Sequence, residues 1–198
     1  MNIRILTFII SQVFLNTTLF SQELNKADSL EICRITQEFY NWYANSIKSK
    51  NYSALKPEFI ESKNGMTTLE FNEYFDNLRE HHFSEELIEN EKKTYCDCLE
   101  NLEKIKYQEF KEKFVDLDAF ENVKCDFGNY HRWIGGQEPI DGIRIKNLEE
   151  TPNSNVNVTI VYFTDNGVKY GISYWGKNIV TLKKMNKTWK IVDINSRN

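Results

Sequence analysis

The chain has no surplus of positive charge. Its 25 lysines and arginines face 29 aspartates and glutamates, giving a net charge of −4 at neutral pH. An acidic chain with scattered lysines lacks the basic stripe that a phosphate backbone demands, which argues against nucleic acid as a partner. The doublets Lys92-Lys93 and Lys183-Lys184 are too short to change that and read as solvated faces. There is no glycine-rich phosphate loop, no G-x-S-x-G elbow and no H-E-x-x-H helix. The familiar signatures of nucleotide binding, serine hydrolysis and zinc proteolysis are therefore missing. Internal repeats and low-complexity tracts are absent too. Beyond the first 21 residues no apolar run approaches the roughly 20 residues that span a bilayer. What is present is ordinary globular composition: 40% hydrophobic and 27% charged residues give the chain enough apolar surface to fold.

The first segment reads as an export signal. Met1 to Arg4 is a short positive region, Ile5 to Phe20 is mostly apolar, and Ser21 is a small residue suited to cleavage. Gln12, Asn16, Thr17 and Thr18 interrupt the apolar run, so cleavage after Ser21 is expected rather than a membrane anchor. The first cysteine is Cys33, far from that junction, which disfavours a lipid-anchored lipoprotein. The expectation is a signal peptide over 1–21 and one domain over 22–198. The mature protein would be soluble, in the periplasm or secreted, with no membrane span.

Two grammars follow one another. Over residues 27–120 capping chemistry and three-to-four-residue periodicity predict helices. Asp28 with Glu31 makes a capping box for a helix to about Ser49, with Ile32, Ile35, Phe39, Trp42, Tyr43 and Ile47 on one broad face. Thr67 with Glu70 makes a second box, for a helix to about Arg79. Ser84 caps a third, followed by Glu85 and Glu86 at the positive helix end. In it Ile88, Tyr95, Leu99 and Leu102 form a stripe. Over residues 123–194 the period drops to two. Val156, Val158, Ile160 and Tyr162 alternate with polar neighbours, and Asp165-Asn166-Gly167 signals a hairpin. Val168, Tyr170, Ile172 and Tyr174 share the next strand face. Turns at Gly176-Lys177-Asn178 and at Met185 to Lys187 complete a meander of at least four strands. Helices first and antiparallel strands after predict an α+β fold, with N-terminal amphipathic helices packed on a curved antiparallel sheet of about four to five strands.

Four short pieces in this order carry a family resemblance: Phe39-Tyr40-Asn41-Trp42-Tyr43, Phe83-Ser84-Glu85-Glu86-Leu87, Asp116-Leu117-Asp118-Ala119-Phe120 and the closing Trp189-Lys190-Ile191-Val192-Asp193-Ile194. Together they resemble an exported bacterial family of unknown function, the YbjP/YqhG type, within the NTF2-like (cystatin-like cone) superfamily. The resemblance implies a cone with a cavity between helices and sheet. It implies no reaction, because one fold hosts enzymes and binding modules alike.

The chemistry-bearing candidates are few. Cys33, Cys96, Cys98 and Cys125 invite disulfides in an exported chain, and four cysteines allow three complete pairings. Cys96 and Cys98 lie two apart on a helix and point about 200° apart, so they cannot bridge each other. His81 and His82 show no ligand spacing, and no metal or cofactor is expected. Asp116 and Asp118 offer paired carboxylates for acid–base work, although such a pair more often caps a helix. His131-Arg132-Trp133 places an imidazole, a cation and a large ring on a glycine-rich loop, where binding groups are often displayed. Trp133 also suits a plug at the end of the core. With Trp42, the tyrosines Tyr170 and Tyr174, beside Tyr162, complete the candidate lining of a pocket.

The reading is an exported, non-catalytic binding protein whose ligand is a small molecule, an envelope component or a protein. Two alternatives are a small cone-pocket hydrolase or isomerase using Asp118 or His131, and an immunity protein that neutralises a toxin through an acidic, aromatic patch. Val161, Phe163 and Trp175 point away from the buried face and suggest a homodimer through the outside of the sheet.

Overall fold

A computed structural model describes residues 24–125, 127 and 131–196. The signal peptide expected over 1–21 lies outside the described residues. α1 (Lys26–Ser49) begins three residues ahead of the expected capping box, because the Asn25 side chain accepts from the Asp28 backbone N–H at 2.9 Å. Asp28 is thereby placed in the first turn, where its charge suits the helix dipole. It also ties α1 to the sheet, accepting from Lys184 Nζ at 2.7 Å and Trp189 Nε1 at 2.9 Å. Ile32, Ile35, Phe39, Tyr43 and Ile47 are buried along α1 as the periodicity predicts, joined by Tyr40 and Ala44. Lys50 ends the helix in the left-handed region.

The second capping box is corrected by the structure. Thr67–Glu70 is β2, paired antiparallel with β1 (Glu58–Glu61), and the next helix, α2 (Asn72–Glu80), starts beyond it. Thr67 and Leu69 are buried while Thr68 and Glu70 are half-buried, a period of two that outweighs the cap signal. The Thr67 hydroxyl donates to the Ile105 carbonyl at 3.0 Å instead of capping. Ser84 does cap α3 (Glu85–Lys93), accepting from Leu87 N–H at 3.2 Å. The expected long helix from Ser84 to Leu102 breaks at Thr94, whose hydroxyl bonds back to the Glu91 carbonyl at 2.7 Å, and resumes as α4 (Cys96–Leu102). α5 (Tyr107–Lys113) and α6 (Leu117–Asn122) follow.

β3 (Gly142–Glu150), β4 (Asn155–Asp165), β5 (Ile172–Met185) and β6 (Thr188–Ser196) form one antiparallel sheet in sequential order. This is the four-stranded meander the alternation predicts. One expected turn is absent: β5 runs through Gly176-Lys177-Asn178 as a bulge opposite Val161, with Gly176 at φ +61°. Glycine supplies a positive φ to a bulge as readily as to a turn. A Cβ at Gly176 would also sit 2.9 Å from the Tyr162 ring. The buried face carries Ile143, Val156, Val158, Ile160, Tyr162, Val180, Leu182 and Ile191, which join the helical residues in one hydrophobic cluster. The segment before α3 pairs with the β6 edge, Ser84 N–H donating to the Ile191 carbonyl at 2.9 Å and Ile191 N–H to that of His82 at 2.8 Å. At Ile191 that edge is paired rather than left open as a template for aggregation. Among the described residues no helix is long and apolar enough to cross a membrane.

Candidate functional site

The glycine-rich loop is held as a tight turn, His131 N–H donating to the Gly136 carbonyl at 2.7 Å and Gly135 N–H to that of His131 at 2.9 Å. This turn drives Trp133 and Ile134 into the core. The Trp133 carbonyl accepts from Tyr40 Oη at 3.1 Å, Asn178 Nδ2 at 3.3 Å and Tyr162 Oη at 3.4 Å. Its N–H donates to Tyr43 Oη at 3.4 Å, and its ring meets Phe83 edge-on at 4.9 Å. Two residues of α1, one of β4 and one of β5 thus converge on the backbone of a single residue. Trp133 plugs the space between helix and sheet where the family resemblance places a cavity.

Beside the plug lies a polar node that the sequence reading did not single out. Glu91 is buried on α3, its Oε1 accepting from Tyr74 Oη and Tyr95 Oη, each at 3.0 Å. Its Oε2 accepts from Arg132 Nε at 2.9 Å, and the Arg132 guanidinium stands 5.2 Å from the Trp133 ring. Glu91 lies three residues after Ile88 and four before Tyr95, on the buried stripe of the helix, and that spacing is the signal that marks it. The node ties α2 and α3 to the loop that carries the plug.

The expected site residues do not assemble into one pocket. His131 and Trp133 share the turn, and the His131 ring meets Tyr43 edge-on at 6.5 Å. Burial and the nearby Lys56 charge hold the imidazole below its usual pKa. Trp42 is elsewhere on α1, stacked on His81 with centroids 4.2 Å apart. Asp116 is the N-cap of α6, accepting from Ala119 N–H at 3.0 Å, and Asp118 is exposed in the first turn. Tyr162 is buried, whereas Tyr170 and Tyr174 stand in solvent. Cys98 and Cys125 form a disulfide across 27 residues; Cys33 and Cys96 are free. Among the described residues no group of three or more His, Cys, Asp or Glu side chains is placed to hold a metal ion. Two surface cavities of about 310 Å³ each are lined by other residues, one by Asn25, Asp28, Lys184 and Trp189 among others, the second by Tyr52, Ser53, Lys56, Pro57, Glu58 and Phe59.

The exposed tyrosines belong to an arm. Among the described residues β3 reaches only as far as Phe163 on β4, and β6 only as far as Asn178 on β5. Beyond those points Thr164 and Asp165 pair with Ser173 and Ile172, Asp165 N–H also donates to Asp141 Oδ2 at 2.7 Å, and the short helical turn α7 (Gly167–Tyr170) closes the tip. Asp165 Oδ1 accepts from Gly167 N–H at 2.9 Å, and Asn166 Nδ2 donates to Ser173 Oγ at 2.8 Å, so the tip is internally ordered. Yet Val168 is fully exposed, Tyr170 is 71% exposed, Ile172 53% and Tyr174 49%. Cations flank them: Lys169 lies 4.9 Å from the Tyr170 ring, with Arg144 and Lys146 5.9 and 5.7 Å from that of Tyr174. The expected strand over Val168 to Tyr174 is corrected: Val168 and Tyr170 lie in α7 and β5 begins at Ile172, and the four side chains with these cations make a protruding basic and aromatic surface.

No family model, curated protein or solved structure matches this chain.

The buried phenols give the interior a measurable signature. Burial is the leading cause that raises the pKa values of Tyr40, Tyr43, Tyr74, Tyr95 and Tyr162 above the ordinary value. Because the folded values exceed the unfolded one, the stabilisation is complete below about pH 10 and is lost as pH rises toward the folded values. Phenolate absorbance from this set is expected to appear in one cooperative step, together with loss of circular dichroism. Gradual ionisation of all tyrosines in an intact fold would contradict a filled, tyrosine-lined interior.

Proposed function

We propose that the protein is an exported, non-catalytic binding protein of NTF2-like (cystatin-like cone) build, which engages a protein partner through the β4–β5 arm and the adjoining outer face of the sheet. The exposed apolar tip carries this reading. Contiguous apolar side chains on a monomer's surface are uncommon outside interaction sites, and here they extend from an arm whose backbone is held in place. Helices gathered on one face of an antiparallel meander support the cone. The Cys98–Cys125 disulfide supports export, since disulfides persist in oxidising compartments.

The enzyme alternative lacks comparable support. Asp118 is exposed, among the described residues no hydrogen bond joins it to His131, and Trp133 fills the space between α1 and the sheet. A toxin-neutralising role was expected to use an acidic patch, whereas Lys169, Arg144 and Lys146 make this one basic. The partner surface is then apolar with acidic groups at its rim.

A photo-crosslinking side chain placed at Val168 or Tyr170, in cells of the source organism, tests this. Discrete protein adducts are expected at both positions and none at the exposed control position Glu112. An adduct of twice the chain's mass would identify a second copy as the partner, the homodimer suggested by the outer sheet face. Val168→Asp combined with Tyr170→Asp should abolish the adducts formed from Ile172 while leaving stability within about 0.5 kcal/mol. Identical adduct patterns at Glu112 and at the tip would sink the reading.

A further inference from the structure

Beyond α1 the chain makes a turn that no expected site residue occupies. Leu55 N–H and Lys56 N–H both donate to the Tyr52 carbonyl, at 3.0 and 3.1 Å, while Ala54, Leu55 and Pro57 are buried and fix the turn in the core. Lys56 is consequently drawn into the cleft of about 310 Å³ formed with Tyr52, Ser53, Glu58 and Phe59. Its Nζ lies 5.5 Å from the centroid of the Tyr52 ring. Lys48, Lys113, Lys124 and Lys184 each meet a carboxylate. Lys56 does not: among the described residues no carboxylate oxygen comes within 4 Å of it.

A partly desolvated ammonium without a counter-charge is unfavourable, and burial lowers its pKa. An anion entering the cleft would relieve that cost. His131 is near enough to feel the Lys56 charge, which together with burial holds its pKa down. The apolar side of the cleft is Phe59, whose ring lies tilted 4.8 Å from Phe110 and stacked 5.5 Å from Phe127. Glu58 is exposed at the rim and disfavours ligands of higher negative charge.

We infer that this cleft binds small monocarboxylates with an apolar or aromatic body, the carboxylate on Lys56 Nζ and the body against Phe59 and Tyr52. The site is separate from the arm and stands or falls independently of it. Benzoate is the probe, with benzamide as its neutral isostere, titrated into the full-length mature chain and followed by amide NMR shifts. Benzoate is expected to shift residues 52–59 with a Kd of about 1 mM or tighter, and benzamide to bind about tenfold more weakly. Lys56→Met should lose about tenfold in benzoate affinity, and Lys56→Arg should retain it. The thermal midpoint of Lys56→Met should equal or exceed that of the parent, since a desolvated charge is removed, so weaker binding would not reflect unfolding. Equal affinity for benzoate and benzamide, no saturable benzoate shift by about 50 mM, or unchanged binding in Lys56→Met would each overturn the assignment.

Discussion

Glu91→Ala is expected to lower stability by about 3–5 kcal/mol, the cost of breaking a buried charged network by removing its centre. The Glu91 side chain is 1% exposed and accepts from three donors on three separate segments. Alanine would strand the Tyr74 and Tyr95 hydroxyls in the core, where a buried donor without an acceptor costs about 1–3 kcal/mol. Arg132 contributes less, because its side chain is 40% exposed and solvent screens its pairing. The phenols are therefore the larger part of the effect. For a chain of this size the melting midpoint should fall by about 10 °C. Glu91→Gln, which keeps the volume but turns one acceptor into a donor, should fall between the two. Tyr74→Phe and Tyr95→Phe should each cost about 1–2 kcal/mol alone, and each should recover part of the loss in the Glu91→Ala background, because the hydroxyl it removes is then stranded. Urea unfolding of the three single variants and of the two double variants that combine Glu91→Ala with each Tyr→Phe measures this coupling. A Glu91→Ala protein within about 1 kcal/mol of the parent would mean that the node does not hold α2, α3 and the plug together.

Glu91 also shows where a sequence is legible and where it is not. The spacing of Ile32, Ile35, Phe39 and Tyr43 reports a helix face directly, because a 3.6-residue period has few other causes. The same holds for Val156 to Tyr162 at a period of two, and for Ser84, whose capping chemistry is local. A charged residue on an apolar stripe is ambiguous, since its burial depends on donors that arrive from elsewhere in the chain: Tyr74 from 17 residues before and Arg132 from 41 after. Thr67 to Glu70 carries both a cap pattern and a strand pattern, and the neighbouring β1 decides between them. Gly176 announces a positive φ without saying whether the chain reverses there. Tyr174 shares a strand period with buried residues, but the period reveals neither that β3 stops short of it nor that Tyr170 turns into α7. Lys56 is set by the packing of Leu55 and Pro57 on either side, with no motif at all. Local chemistry is readable; what converges from distant segments is not.

The cysteines are a case of that kind with a large expected effect. Four thiols allowed three complete pairings, and the structure contains one bridge, Cys98 to Cys125, with Cα atoms 4.9 Å apart. The pairing follows from how the segment after α6 lies against α4: Asn101 Nδ2 donates to the Val123 carbonyl at 3.2 Å, and Lys124 pairs with Asp97 at 2.6 Å. Closing a loop across 27 residues removes enough freedom from the unfolded chain to contribute about 3–4 kcal/mol. Cys98→Ala with Cys125→Ala should therefore lower the melting midpoint by about 10 °C, whereas Cys96→Ser, at an exposed position, should change stability by less than about 0.5 kcal/mol. Alanine is the informative replacement, since both half-cystines are buried and serine would add unpaired hydroxyls. A thiol titration of the unfolded chain gives an independent readout: two reactive thiols without reductant, from Cys33 and Cys96, and four with it. Four thiols before reduction, or a double variant as stable as the parent, would show that α4 and the segment after α6 are held by Lys124, Asn101 and apolar contact alone.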